Sequence, residues 1–268
     1  MKSFLKAAQL LILSLFLAIG GVDLTALAMG RQEPPTQAER TGAAVASVPA
    51  AEAATTGSGT LTGKVTLSGK APAGDKLKMN ADPVCLQAHS HEVMAQAAQV
   101  NDNGALPYVF VSITEGVSGS HPAPGDPVVL NQVGCMYEPH VFGMQAGQKV
   151  EIRNSDSTLH NVNCQAQVNK KFNIAQPVKG MKTDKVFDKA EKAIPFKCNV
   201  HPWMQAYGFV VDHPFFAVTG ADGSFTISGL PAGTYTVEAW HETFGSAAQK
   251  VTVADGESKS LDFTLKAS

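Results

Sequence analysis

The sequence predicts an all-β protein built from a larger and a smaller β-sandwich. From Thr60 to the end of the chain, short stretches alternate apolar and polar residues, with glycine, proline and aspartate turns between them. Stretches with helical periodicity are scarce, and only residues 93–100 predict a short helix. Strands of this length and spacing are typical of sandwich folds. We therefore expect many short strands and little helix.

The composition suits a globular protein and excludes some partners. Hydrophobic residues make up 44% of the 268 residues and charged residues 16%, which is enough apolar surface for a sizeable core. The formal net charge of −2 gives no attraction to nucleic acid or to an anionic membrane surface. No basic stripe with interleaved aromatic residues is present, so nucleic-acid binding is excluded.

The first residues indicate export. Lys2 and Lys6 precede an apolar run at residues 10–19, and small residues follow up to Ala28. This pattern is typical of a signal peptide, and we expect cleavage after Ala28 and a periplasmic or extracellular location. The apolar run is short for a membrane span, although an uncleaved membrane anchor stays open as an alternative.

The rest of the chain divides into two parts that differ in composition and in hydrophobic pattern. Residues 29–57 are rich in alanine, threonine and proline without an apolar face, which predicts a flexible tether. Alternating apolar residues then predict a series of strands. The clearest lie at residues 61–67, 106–113, 149–153, 225–227, 234–240, 249–253 and 261–265.

One short motif contains three side chains that can bind a metal ion. The sequence Cys198-x-x-His201-x-x-Met204 places a thiolate, an imidazole and a thioether in a single loop. Thiolate and imidazole suit copper in both oxidation states, and a weak thioether bond adjusts the reduction potential. A trigonal site needs a second imidazole, and His160, after the predicted strand at 149–153, supplies it.

These segments resemble the cupredoxins, the blue-copper family that includes plastocyanin and especially amicyanin. The spacing of the Cys198 loop matches the amicyanin type, and His160-Asn161-Val162 matches the upstream ligand segment. The likeness covers residues 106–213 and implies a Greek-key sandwich that holds one type 1 copper ion. It also implies that Asn161 ties the two ligand loops together by hydrogen bonds.

The resemblance further implies an electron-transfer patch. In the family, electrons pass through the exposed edge of the loop histidine, here His201, within an apolar surface. Pro202 and Trp203 are candidates for that surface, although Trp203 is equally suited to the core. A weak redox encounter needs only one such patch.

The chain has four cysteines, and after export we expect them to lie in an oxidising compartment. Once Cys198 is assigned to copper, Cys85 and Cys135 remain as the pair for a structural disulfide. A disulfide between Cys198 and Cys164 is the alternative. Cys164 otherwise becomes a buried small hydrophobe or a ligand of a second copper ion.

The other histidines are expected to have ordinary roles. His89 and His91 form a His-x-His pair, as in multicopper oxidases, but those enzymes need several such pairs, so a solvated loop is favoured. Hydrogen bonds within the fold are expected for His140, His213 and His241.

Two flanking segments resemble the carboxypeptidase-regulatory-like, or Cna-B-like, sandwich. Residues 60–65 match its first strand, and Asp222-Gly223-Ser224-Phe225 with Leu230-Pro231-Ala232-Gly233-Thr234-Tyr235 matches its later strands. We expect one such domain, split into residues 58–105 and 214–268, with the cupredoxin inserted at 106–213. Two consecutive domains are the alternative. This fold implies a scaffold or surface attachment rather than catalysis.

The expected function is that of a monomeric electron carrier with one type 1 copper ion. Its partner would be a cytochrome, a dehydrogenase or an oxidase. A copper module for storage, delivery or tolerance is the main alternative, and a metal-free interaction protein is a third. We expect no enzyme, because neither an open coordination position nor a second metal centre can be identified.

Overall fold

The computed structural model describes residues 57–267. The expected signal peptide at 1–28, and the expected tether except for its last residue, lie outside this part. Among the described residues, no helix combines the length and the apolar character needed to cross a membrane.

The regular secondary structure of the described chain is almost entirely β-strand, which confirms the predicted fold class. The first nine strands are β1 (Gly59–Ser68), β2 (Phe110–Glu115), β3 (Val128–Val133), β4 (Met136–Glu138), β5 (Val141–Gln145), β6 (Lys149–Asn154), β7 (His160–Cys164), β8 (Phe172–Gln176) and β9 (Lys182–Val186). The others are β10 (Glu191–Lys197), β11 (Gln205–Val211), β12 (Phe216–Val218), β13 (Ser224–Leu230), β14 (Gly233–His241), β15 (Gly245–Val253), β16 (Ser258–Ser260) and β17 (Phe263–Lys266). One short helix, α1, spans Pro83–Gln87.

Two sheets enclose the first core. One has the order β13-β1-β16, with β17 also paired to β1, and the other has the order β12-β2-β14-β15. Alternate residues of β14 are buried, as expected for a strand with one face on a core. The core contains Leu61, Val65, Val237 and Phe263, so residues from both ends of the described chain build it.

Strand β2 belongs to this first sandwich. Its residues pair with β14 on one side and with β12 on the other. The sequence resemblance instead predicts a cupredoxin-like segment at residues 106–213, which would include β2. The domain boundaries stay a prediction, but the sheet pairing favours a first boundary beyond Glu115.

Two further sheets enclose the second core. Their orders are β5-β11-β10-β7-β8 and β4-β3-β6-β9. Large side chains such as Tyr137, Ile152 and Phe196 are fully buried between them. Met79 and Cys85 belong to the same core, although they precede all of its strands in sequence. The chain before β2 therefore contributes to both sandwiches.

Aromatic packing joins the two sandwiches. The rings of Phe110 on β2 and Phe209 on β11 are stacked with their centroids 3.9 Å apart, and Trp240 on β14 packs edge-on against Phe209. Gly143 on β5 lies so close that a Cβ atom there would be 2.4 Å from the ring of Phe216. This contact requires glycine at position 143.

The predicted helix at residues 93–100 is wrong. That stretch contains only a 3-10 turn at Gln96–Ala98. The helix that does form, α1, begins where Asp82 accepts a hydrogen bond from the backbone N–H of Val84, with Pro83 at the first helical position. Aspartate followed by proline is a recognised helix start, and it was the signal that could have located α1.

Candidate metal centre

Two loops at one end of the second sandwich bring the predicted ligands together. His160 is the first residue of β7, directly after the loop that leaves β6, and Cys198 follows the last residue of the neighbouring strand β10. Backbone hydrogen bonds close the second loop, from the Cys198 N–H to the Met204 carbonyl and from the Met204 N–H to the His201 carbonyl. The sheet pairing of β7 with β10 thus sets the two loops side by side.

The donor atoms of three predicted ligands form one cluster. The donor atoms of His160, Cys198 and His201 all lie within 4.8 Å of one another, and all three residues are buried. The two imidazole Nδ1 atoms are 2.9 Å apart. Met204, the fourth predicted ligand, is fully buried in the adjoining core. A thiolate and two imidazoles facing a common point, with a thioether in the same loop, are the donors that suit copper.

A carboxylate holds the outer nitrogen of each histidine. Asp156 Oδ2 lies 2.9 Å from His160 Nε2, and Asp82 Oδ2 lies 3.1 Å from His201 Nε2. A carboxylate only accepts hydrogen bonds, so each Nε2 carries the proton. Both Nδ1 atoms are therefore directed at the thiolate side of the cluster, and carboxylates of this kind orient metal-binding histidines.

The titration behaviour of the cluster agrees with this arrangement. Burial works against a charge on His160, but its hydrogen bonds to Asp156 and Cys198 outweigh burial and raise its pKa to about 8. Burial, together with the charge of His160, lowers the pKa of His201. Burial would raise the pKa of Cys198, but hydrogen bonds from His160 and from backbone amides lower it instead. The two imidazole Nδ1 atoms are 2.9 Å apart and can share one proton, which a metal bound at this point would displace.

Asn161 links the two ligand loops. Its Oδ1 accepts a hydrogen bond of 2.6 Å from the backbone N–H of Asn199, next to the predicted ligand Cys198. Its own carbonyl accepts a hydrogen bond of 2.6 Å from the buried hydroxyl of Tyr137. The resemblance implied a link of this type. The influence of Asn161 on a bound metal stays a prediction.

The ring of His201 is covered, contrary to the exposed edge that the family resemblance implied. Only 3% of the residue is exposed. Cys85 Sγ lies 3.6 Å from its Nε2, and the indole N–H of Trp203 donates to the carbonyl of Cys135. The segment before β2, which the resemblance did not include, thus lies over the histidine. Pro202 is exposed and Trp203 is half-buried, so they remain at the surface without the histidine edge between them.

The cysteines pair as the first hypothesis stated. Cys85 and Cys135 form a disulfide, while Cys164 and Cys198 are free and buried. The alternative disulfide between Cys164 and Cys198 is therefore not formed. Burial raises the pKa of the Cys164 thiol to about 11, which keeps it protonated at neutral pH.

The remaining histidines lie outside the cluster. His89 Nε2 is 2.7 Å from the carbonyl of Gly134, and His91 contacts its neighbour Ser90. Within residues 57–267, every group of side chains close enough to hold a metal lies around His160 and His201. Hydrogen bonds within the fold were expected for three other histidines and are present at His140, His213 and His241.

Sequence reasoning missed both carboxylates. Asp156 precedes His160 by four residues, and this short spacing was the signal that could have identified it as the hydrogen-bond partner. Asp82 had no such signal, because 119 residues separate it from His201. Only the folded chain brings it to the site.

Comparison with known proteins gives partial matches. Residues 211–266 match the model of the carboxypeptidase regulatory-like domain. A comparison with curated proteins found no match.

Three solved structures illustrate the likeness of the fold. Amicyanin from Paracoccus versutus is 21% identical, with 38% of this chain and 97% of that chain covered at a TM-score of 0.29. A purple cupredoxin from Nitrosopumilus maritimus is 22% identical, with 31% of this chain and 99% of that chain covered at 0.28. The Cu-containing nitrite reductase (NirK) from Thermus scotoductus SA-01 is 22% identical, with 37% of this chain covered at 0.30, and the match spans only 25% of the reductase.

The solved structures that part of this chain resembles are cupredoxins, and the C-terminal residues 211–266 match the carboxypeptidase regulatory-like domain family.

Proposed function

We propose that this chain is an exported protein that binds one type 1 copper ion through His160, Cys198, His201 and Met204 and carries single electrons. The observation that supports the proposal is the convergence of three buried donor atoms, within 4.8 Å of one another, from two separate loops. Copper bound to such donors supplies a one-electron couple between Cu(I) and Cu(II).

The chain's own residues would keep this couple fast by holding the ligands still. Both imidazoles are fixed by carboxylates, and Asn161 joins the two loops through the backbone of Asn199. The cluster is buried, so water reorganises little when the charge changes. A rigid and dry site of this kind suits electron transfer more than substrate turnover, because substrate needs an open position.

The partner and the location follow from the same proposal. We propose a cytochrome, dehydrogenase or oxidase as the redox partner, with the protein acting as a monomer in the periplasm or outside the cell. Contact with a membrane would require that the first 28 residues stay uncleaved. We propose no catalysis, and turnover of nitrite or of phenols by the copper-loaded protein would contradict this.

A second candidate function is copper storage, delivery or tolerance without electron flow. The covered position of His201 favours it, because the histidine edge through which a partner would exchange electrons is only 3% exposed. The two candidates differ in one measurable property, which is whether bound copper cycles reversibly at a useful rate.

The test is a copper titration of the purified protein followed by visible spectroscopy. We expect one equivalent of Cu(II) to give an intense thiolate-to-copper band that disappears on reduction. Cys198→Ser should abolish the band, whereas Cys164→Ser, the matched change at the other free and buried cysteine, should keep it. A protein without colour, or a band that survives in Cys198→Ser, would contradict the proposed site.

Voltammetry then separates the two functions. Reversible one-electron waves and fast electron exchange with a soluble cytochrome would support the carrier. A coloured site that exchanges electrons only very slowly would contradict the carrier and support storage or delivery.

A further inference from the structure

Residues 77–93 form a loop that is anchored over the metal centre, and we name it the Asp82 loop. Its two ends are joined by a hydrogen bond of 2.9 Å from the N–H of Leu77 to the carbonyl of Val93. Met79 is buried in the second core, and the disulfide ties Cys85 to Cys135 next to β4. The loop is therefore fixed at several points and does not simply lie on the surface.

Asp82 uses both carboxylate oxygens within this loop. Oδ1 accepts from the backbone N–H of Val84 at 2.8 Å, which caps α1. Oδ2 accepts from the Thr158 hydroxyl at 2.6 Å and from His201 Nε2 at 3.1 Å. Thr158 stands two residues before the ligand His160, so one carboxylate oxygen contacts both ligand loops.

We propose that Asp82 is a positioning residue of the metal centre, which fixes the His201 tautomer that leaves Nδ1 free for copper. The binding of copper at Nδ1 rests on the proposed function, but the effect of Asp82 on the tautomer does not. A neutral imidazole carries one proton, and a carboxylate at Nε2 can only accept it. The proton is thereby kept off Nδ1, which lies 2.9 Å from His160 Nδ1 at the centre of the cluster.

The Asp82 loop also changes how the site meets solvent. The loop supplies both the carboxylate at His201 Nε2 and the sulfur of Cys85 at 3.6 Å from that nitrogen. Together they occupy the ring edge that would otherwise contact water or a partner. Asp82 therefore replaces solvent as the hydrogen-bond partner of this ligand, and its negative charge stabilises the more positive oxidation state of a metal on the other side of the ring.

The first experiment reads the tautomer directly in the copper-free protein. Long-range ¹H–¹⁵N NMR of the His201 ring should show a proton on Nε2 that exchanges slowly with water. Asp82→Asn can retain the bond to Val84 through its remaining oxygen but presents an N–H group to His201, so we expect Nε2 to lose its proton or to exchange it rapidly. An unchanged tautomer and an unchanged exchange rate in Asp82→Asn would overturn the proposal.

The controls separate positioning from folding. Asp75→Asn removes the same charge from an exposed residue just outside the loop and should leave the His201 signals unchanged. A count of two free thiols in denatured Asp82→Asn, from Cys164 and Cys198, would establish that the disulfide is intact. Altered His201 signals in Asp75→Asn would overturn the assignment to Asp82.

The second experiment measures copper affinity by competition with a chelator. Loss of a carboxylate that orients a ligand histidine should weaken binding about 10–100-fold in Asp82→Asn. The reduction potential should also rise, and Asp75→Asn should change neither value. Copper affinity equal to that of the wild type, despite an altered tautomer, would overturn the positioning role. If the wild-type protein bound no copper, the proposed function would fail while the tautomer measurement still tested Asp82.

Discussion

Removing the buried disulfide between Cys85 and Cys135 should lower the stability of the protein strongly. The perturbation is the double variant Cys85→Ala/Cys135→Ala. The two cysteines are 50 residues apart in sequence, and both are fully buried. Cys85 lies in α1, and β2 and β3 lie between the two cysteines, so the cross-link restricts a long and otherwise mobile part of the unfolded chain.

The magnitude follows from the entropy of loop closure. For a loop of this length, the chain-entropy relation gives about 4 kcal/mol of stabilisation at 25 °C. The variant should therefore lose about 4 kcal/mol in its free energy of unfolding. For a protein of this size, this corresponds to a fall of about 8–16 °C in the midpoint of thermal unfolding.

The assay is thermal and urea unfolding of the copper-free protein, followed by circular dichroism. Cys164→Ala is the matched control, because it removes a buried cysteine that is not cross-linked, and it should cost much less. Equal losses in the control and in the double variant would refute the cross-link argument. They would assign the effect to the loss of packing instead.

Three further changes test other parts of the structure. Tyr137→Phe leaves the buried carbonyl of Asn161 without its donor, so the free energy of unfolding measured in urea should fall by about 1–3 kcal/mol, and an unchanged urea midpoint would contradict this. Burial lowers the pKa of His241 to about 4 in the folded protein. As the pH drops from 6.5 to 4, the His241 imidazole is protonated in the unfolded chain but not in the folded one, so the free energy of unfolding should fall over this range. Melting curves should follow that fall, and His241→Gln should flatten it; an identical pH slope in the variant would refute the assignment. Glu191→Gln weakens an acceptor of backbone N–H groups in residues 167–169, so hydrogen exchange of that loop should speed up, and unchanged exchange would count against this role.

The ligand set could be predicted because its information is local. Cys198, His201 and Met204 lie in one loop, where their spacing alone limits how far apart they can be. His160 follows a strand in which apolar and charged residues alternate clearly, so its position just after the end of that strand could also be predicted. The structure adds that the pairing of β7 with β10 brings the two loops together.

The surroundings of the site could not be predicted, because they depend on contacts between distant parts of the chain. Asp82 and His201 are 119 residues apart, and no local pattern marks them as neighbours. The expected exposed edge of His201 failed for the same reason, since the Asp82 loop that covers it precedes every strand of the second sandwich. The predicted helix at 93–100 failed because apolar and small residues there pack as a turn.

The first sandwich contains both a feature that the sequence predicted, its turns, and a feature that the sequence did not predict, its strand pairing. The turn motifs near Asp222 and Leu230 correctly indicated short strands, because turn residues act over a few positions. The pairing of β2 with β14 joins residues more than a hundred positions apart, and it depends on which faces bury apolar side chains together. A linear sequence pattern does not specify that choice.

The central claim is that one copper ion binds through the Cys198 thiolate between two histidines. X-ray absorption at the copper edge, on the copper-loaded protein and on Cys198→Ser, tests it most directly. We predict one sulfur at short range and two imidazole nitrogens in the wild type, with the sulfur lost in Cys198→Ser. A copper environment without short-range sulfur in the wild type, or one that is the same in both proteins, would contradict the claim.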